Sequence, residues 1–164
     1  MAEPVALGVN HAVLWVTDPR ASARFYSEAL GLEIKSESDR AVFLRSPISA
    51  NDHDLGLMKA ERDERARERR VGLYHLAWEV PTLGDLGRIR ERLDRMGALV
   101  GQSDHHVSKS LYVHDPDGNE FEVMWQVPED LLADGEGGEL DLAAEIDHYG
   151  PDTPTRTLGY VTER

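Results

Sequence analysis

The chain has no cysteine. That excludes disulfides, thiolate metal sites and a cysteine nucleophile, and mildly favours a reducing cytoplasm. Nowhere do roughly 18 apolar residues run together, the minimum for a membrane-spanning helix. The opening Met1-Ala2-Glu3-Pro4 leads into neither the basic segment nor the apolar run of a signal peptide. Positive charge is scarce as well: 18 Lys and Arg against 31 Asp and Glu leave a formal charge of −13. Such a balance disfavours polyanion partners such as nucleic acid, and no membrane partner is expected. The expectation is a cytoplasmic protein. With 164 residues, 40% hydrophobic and 30% charged, it can bury the core of an ordinary globular domain.

What is present is a pattern that occurs twice. Val9 to Val16 reads as a strand with His11, Val13 and Trp15 on one face. Thr17-Asp18-Pro19 then opens a helix whose apolar stripe is Ala23, Phe25, Tyr26, Ala29 and Leu30, and Gly31 is placed to end it. Leu32 to Lys35, Arg40 to Arg45 and His53 to Lys59 read as strands. After a mixed-charge connector the order repeats. Leu73 to Val80 is a strand, Pro81-Thr82 opens a helix carrying Leu83, Leu86, Ile89, Leu93 and Met96, and Gly97 stops it. Strands follow at Ala98 to Gln102, Lys109 to His114 and Glu120 to Gln126. Nearly the same interval separates His11 from His75 as separates Met58 from Met124, as an internal duplication requires. The fold class expected is α+β, two tandem βαβββ modules.

Leu111 to Trp125 is the most telling stretch. Asp115-Pro116-Asp117-Gly118 supplies turn chemistry between two apolar, aromatic-rich arms, the signature of a β-hairpin. On the returning arm Phe121, Val123 and Trp125 share one face. Glu122 and Met124 share the other, which places a carboxylate in an apolar strand. A buried carboxylate needs a partner. Two histidines and one carboxylate, here His11, His75 and Glu122, suit a non-haem Fe(II) or Mn(II) centre with open coordination positions.

The segments N-H-A-V-L-W-V-T-D and F-Y-S-E-A-L-G-L, then Y-H-L-A-W-E-V, then L-Y-V-H-D-P-D-G-N-E-F-E-V resemble the vicinal oxygen chelate (glyoxalase/bleomycin resistance/dioxygenase) superfamily. The resemblance covers Gly8 to Gln126. It implies paired modules whose strands form a cupped mixed sheet around one metal, and it carries the ligand roles onto His11, His75 and Glu122. Residues 1–127 would then be the family domain, with modules at 8–60 and 71–127 and a linker at 60–70. Residues 128–164 would be an acidic C-terminal tail that covers the cup mouth or a subunit contact, a homo-oligomer being expected.

Within that superfamily, glyoxalase-type isomerases carry a fourth ligand at the position that Gly56 holds here. H-D-L-G-L, His53 to Leu57, and D-H-H-V-S, Asp104 to Ser108, resemble segments of type I extradiol ring-cleavage dioxygenases. That likeness implies acid, base or hydrogen-bonding roles for His53 and His105, and a hydrogen bond from Tyr112 to substrate. His106 departs from the glycine usual there, which leaves the choice between His105 and His106 open, with His105 favoured by position. His114 and His148 read as surface residues. The resemblance thus implies an extradiol-type dioxygenase acting with O2 on a small aromatic diol, with Fe(II) favoured and Mn(II) the other candidate. A glyoxalase-like isomerase or lyase and a non-catalytic antibiotic-binding protein of the same fold are the alternatives.

Overall fold

The computed structural model describes residues 9–61 and 72–156. Most of the charged connector at 60–70 lies outside the described residues. Contacts divide the chain into two units, Met1–Ala66 and Arg67–Arg164.

The first unit runs β1 (Ala12–Val16), α1 (Pro19–Leu30), β2 (Glu33–Glu37), β3 (Ala41–Arg45) and β4 (Leu55–Lys59). Its four strands form one mixed sheet in the order β1-β4-β3-β2. The helix carries the chain across to the opposite edge of the sheet, where β2 lies, and two antiparallel steps then bring β4 up parallel beside β1. Helix α1 starts where expected: the Asp18 carboxylate accepts from the backbone N–H of Arg20 and Ala21 at 3.0 and 3.2 Å, and Pro19 follows at the first helical position. It stops at Gly31, whose φ of 75° lies in the left-handed region. Ala23, Tyr26 and Ala29 of its inner face are buried with Val42, Leu44, Leu55 and Leu57 of the sheet.

The second unit repeats the order with β5 (Leu76–Glu79), α2 (Leu83–Met96), β6 (Leu99–Asp104), β7 (Ser108–His114) and β8 (Glu120–Gln126), and adds α3 (Leu142–Tyr149). The sheet order is β5-β8-β7-β6, again with the first pair parallel and the others antiparallel. The duplication extends to register. Gly56 faces Val13 and Phe43 in the first unit, and Glu122 faces Ala77 and Tyr112 in the second.

The strands begin later than hydropathy suggests. His11 and His75 each stand one residue before β1 and β5, at the mouths of the strands and outside their ladders. Among the described residues no helix is long and apolar enough to cross a membrane.

The segment after Val127 packs back on the second unit. Trp125 Nε1 donates to the Thr153 carbonyl at 3.1 Å, Thr155 N donates to the Pro81 carbonyl at 2.9 Å, and Leu140 and Leu142 are buried. Gly84 admits this segment, because a Cβ there would stand 2.7 Å from the Pro151 carbonyl oxygen.

Candidate metal centre

In β8 the alternation of side chains decides what faces where. Phe121, Val123 and Trp125 go into the core, at 0–2% exposure. Glu120, Glu122 and Met124 take the opposite face, and Glu122 is still only 8% exposed. His75 supplies the partner a buried carboxylate requires: its Nε2 stands 3.2 Å from Glu122 Oε2. Two donors each about 2.1 Å from one ion and roughly at right angles would be about 3 Å apart. The pair therefore fits a shared divalent cation, in chemistry and in spacing.

Across the β7–β8 ladder Tyr112 lies opposite Glu122. Burial in the first place, and then the negative charge of Glu122, push its phenol above the usual tyrosine range. It stays protonated at neutral pH, and its oxygen lies 2.7 Å from His105 Nε2. The second unit thus places His75, Glu122, Tyr112 and His105 in one connected group, with the His75 and Tyr112 rings 6.1 Å apart.

The structure also separates His105 from His106. His106 has φ of 67°, the left-handed conformation that glycine adopts without strain and that explains a glycine preference at this position. That conformation turns its ring toward Gly135, where an added Cβ would come within 3.3 Å. His105 is the imidazole that reaches Tyr112.

In the first unit the His11 and His53 rings are 4.5 Å apart. His11 Nδ1 is 2.9 Å from Asn10 Oδ1, and the Asn10 amide is oriented by donating to Asn51 Oδ1 at 2.8 Å. An amide oxygen only accepts, so Nδ1 carries the proton and Nε2 presents its lone pair, the tautomer a metal ligand needs. His53 Nδ1 is held in the same way by Asp52 at 3.0 Å, and that hydrogen bond keeps the Asp52 carboxyl below the usual carboxylate range. The His53 ring also meets the Phe43 ring edge-on at 4.9 Å.

Gly56 occupies the register position of Glu122, and a Cβ there would already press on Val13 Cγ2 at 3.2 Å and Phe43 Cε1 at 3.3 Å. A fourth ligand, a second carboxylate, could stand there only if Val13 and Phe43 gave way by a few tenths of an ångström. Among the described residues no three histidine or carboxylate side chains already stand at metal-ligand spacing. His75 and Glu122 are the donor pair one unit brings together, and His11 belongs to the other.

Two neighbours were not singled out from sequence. Glu120 shares the Glu122 face, being two residues before it in the same strand. Ser110 shares the Tyr112 face, is fully buried, and its hydroxyl has no hydrogen-bond partner. The period-2 rule could have found both. His114 is half-exposed and His148 is exposed, as expected.

This architecture is that of tandem βαβββ modules. The chain belongs to the glyoxalase/bleomycin resistance protein/dioxygenase superfamily, whose family model matches residues 8–123. It is similar to catechol-2,3-dioxygenase of Bacillus subtilis (strain 168), with 30% identity over 146 residues, 87% of this chain and 50% of that protein. The chain thus spans half the length of that relative. It is also similar to the glutathione transferase FosA of Serratia marcescens, with 25% identity over 115 residues, 70% of this chain and 78% of that protein. Among solved structures, a glyoxylase/bleomycin resistance protein/dioxygenase domain from Frankia sp. EAN1pec is 26% identical with a TM-score of 0.62, covering 75% of this chain and all of the other.

Proposed function

We propose that the protein is an extradiol-type ring-cleaving dioxygenase, with His11, His75 and Glu122 as ligands of one Fe(II) or Mn(II). The observation that carries this reading is the hydrogen-bonded His105–Tyr112 pair beside the His75–Glu122 donor pair. It sets a proton-handling group next to a metal-binding group. The similarity to catechol-2,3-dioxygenase and the glycine at position 56 support it against an isomerase with four protein ligands.

A bound ferrous ion would supply coordination of both catechol oxygens and of dioxygen, so that the reactants meet in a fixed orientation. The remaining work falls to side chains. His105, an imidazole able both to accept and to donate a proton, takes one from a substrate hydroxyl and later returns one to the leaving oxygen. Tyr112 stays neutral and donates its O–H, to His105 at rest and to a substrate oxygen when one is present. His53, fixed by Asp52, offers a second imidazole for the same traffic.

The reading is tested by metal analysis of anaerobically purified protein, followed by oxygen uptake with a panel of catechols. One equivalent of iron or manganese and catechol-dependent uptake are expected. Bound metal without uptake on any catechol would favour the second reading, a metal-dependent transferase, which the similarity to FosA supports.

A further inference from the structure

We infer that Glu120 is a positioning residue for His75: its carboxylate accepts from the imidazole Nδ1–H and so holds Nε2 as the metal-binding nitrogen. The inference rests on the proposed metal site. Its basis is a pair of orphaned atoms. His75 Nδ1 and Glu120 Oε1 are both buried at the atom level, and neither has a hydrogen-bond partner. They face each other at 3.8 Å, just beyond hydrogen-bond reach, so a small rotation of either side chain satisfies both. A buried donor and a buried acceptor left unmade are costly, which favours closing that gap.

The surroundings agree. Glu122 Oε2, the His75 ring, Glu120 and His114 form a continuous chain, with contacts of 3.2, 3.8 and 3.5 Å in turn. His114 Nε2 meets Glu120 Oε2, which leaves Oε1 turned toward His75. The arrangement follows from the fold. Glu120 and Glu122 lie two apart on one strand and so share a face, and His75 enters the parallel strand at the level of Glu120, one residue before the Leu76–Phe121 pair. One strand therefore supplies a carboxylate to each nitrogen of one imidazole. A carboxylate behind a ligating histidine fixes the ring and its tautomer and makes the ligand more basic, and its loss typically weakens metal binding about 10–100-fold.

The test is Mn(II) or Zn(II) affinity by calorimetry on the full chain, for wild type, Glu120→Leu, Glu120→Gln and His75→Asn. Glu120→Leu should bind roughly 10–100-fold more weakly, and Glu120→Gln, which keeps an acceptor oxygen, should fall between it and wild type. In the Zn(II)-loaded wild type, nitrogen NMR should show His75 protonated on Nδ1, with the Nδ1–H exchanging faster in both Glu120 variants. Should the leucine variant fail to fold, the glutamine variant and the exchange rate still decide. Wild-type affinity and unchanged Nδ1–H exchange in the Glu120 variants, with binding lost in His75→Asn, would overturn this inference alone. A wild type that binds neither metal would overturn the metal site itself.

Discussion

At the scale of single residues, the proposed function assigns metal binding and proton transfer to different side chains, so the two can be separated. Glu122→Ala removes a buried charge and a donor, so metal content and turnover should vanish together, as read by elemental analysis and oxygen uptake. His105→Asn leaves the His75–Glu122 pair untouched. It should keep the metal and lower turnover by the roughly 10²–10⁴-fold typical of a lost acid–base group. Tyr112→Phe deletes one hydrogen bond, worth about 1 kcal/mol, and should cost roughly a factor of five. His106→Asn should be silent in turnover, since that ring lies against Gly135. A large loss there with none in His105→Asn would reverse the assignment within the pair.

At the scale of elements, two loops hold the histidines, and each is secured by a different device. The loop after β6 is clamped by Lys109, 3% exposed, whose Nζ reaches Asp104 Oδ1 at 2.7 Å and Glu145 Oε2 at 3.1 Å. Asp104 Oδ1 also accepts from His106 N at 2.7 Å, and the Asp104 backbone pairs with Gly138 in both directions. Burial pulls the Lys109 ammonium down, but the two carboxylates outweigh it and the pKa lies above the usual lysine range, so the charge persists. Lys109→Met leaves Asp104 and Glu145 without their cation. It should destabilise by about 3 kcal/mol, the low end for a broken buried pair because both carboxylates keep some water. Thermal denaturation checks this, and His105 should become mobile on the NMR timescale.

The loop before β4 hangs on Asp54, which accepts from Ser49 Oγ, Ser46 N and Asn51 Nδ2 at 2.7–2.8 Å. Burial raises its pKa, but these hydrogen bonds and Arg45 more than offset that, and the net shift is downward. A carboxyl lowered on folding contributes stability above its unfolded pKa of about 3.9, and that contribution is lost as pH falls through the lower folded value. Melting temperature should therefore drop below about pH 4 more steeply in wild type than in Asp54→Asn. Equal slopes would contradict the assignment.

Much of this level was legible beforehand. The helix caps at Asp18 and Gly31, the hairpin at Asp115–Gly118 and the inward face of Phe121, Val123 and Trp125 follow from local chemistry and period-2 or period-3.6 patterning. The late strand starts at Ala12 and Leu76 were not, because hydropathy cannot tell a paired residue from an apolar one at a strand mouth. Nor was the left-handed turn at His106, which sequence marks only as a departure from glycine, or the clamp on Lys109, whose partner Glu145 lies 36 positions away.

At the scale of the whole molecule, duplication raises the question of whether the chain holds one metal or two. The registers answer in favour of one. Glu122 and Gly56 occupy matched positions, so only the second module carries the acid, and a side chain at 56 would press on Val13 and Phe43 in the first. On the proposed function the three donors His11, His75 and Glu122 serve a single ion, and calorimetry should then give one equivalent per chain. A ligand bound only by the native state stabilises it by mass action, about 2.7 kcal/mol when present at 100 times its dissociation constant. For a chain of this size that raises the melting temperature by roughly 5–10 °C. His75→Asn, Glu122→Ala and His11→Asn should each flatten the response to Mn(II). A full Mn(II)-dependent rise in His11→Asn, alongside none in His75→Asn, would remove His11 from the ligand set and leave the His75–Glu122 pair to be completed by another donor.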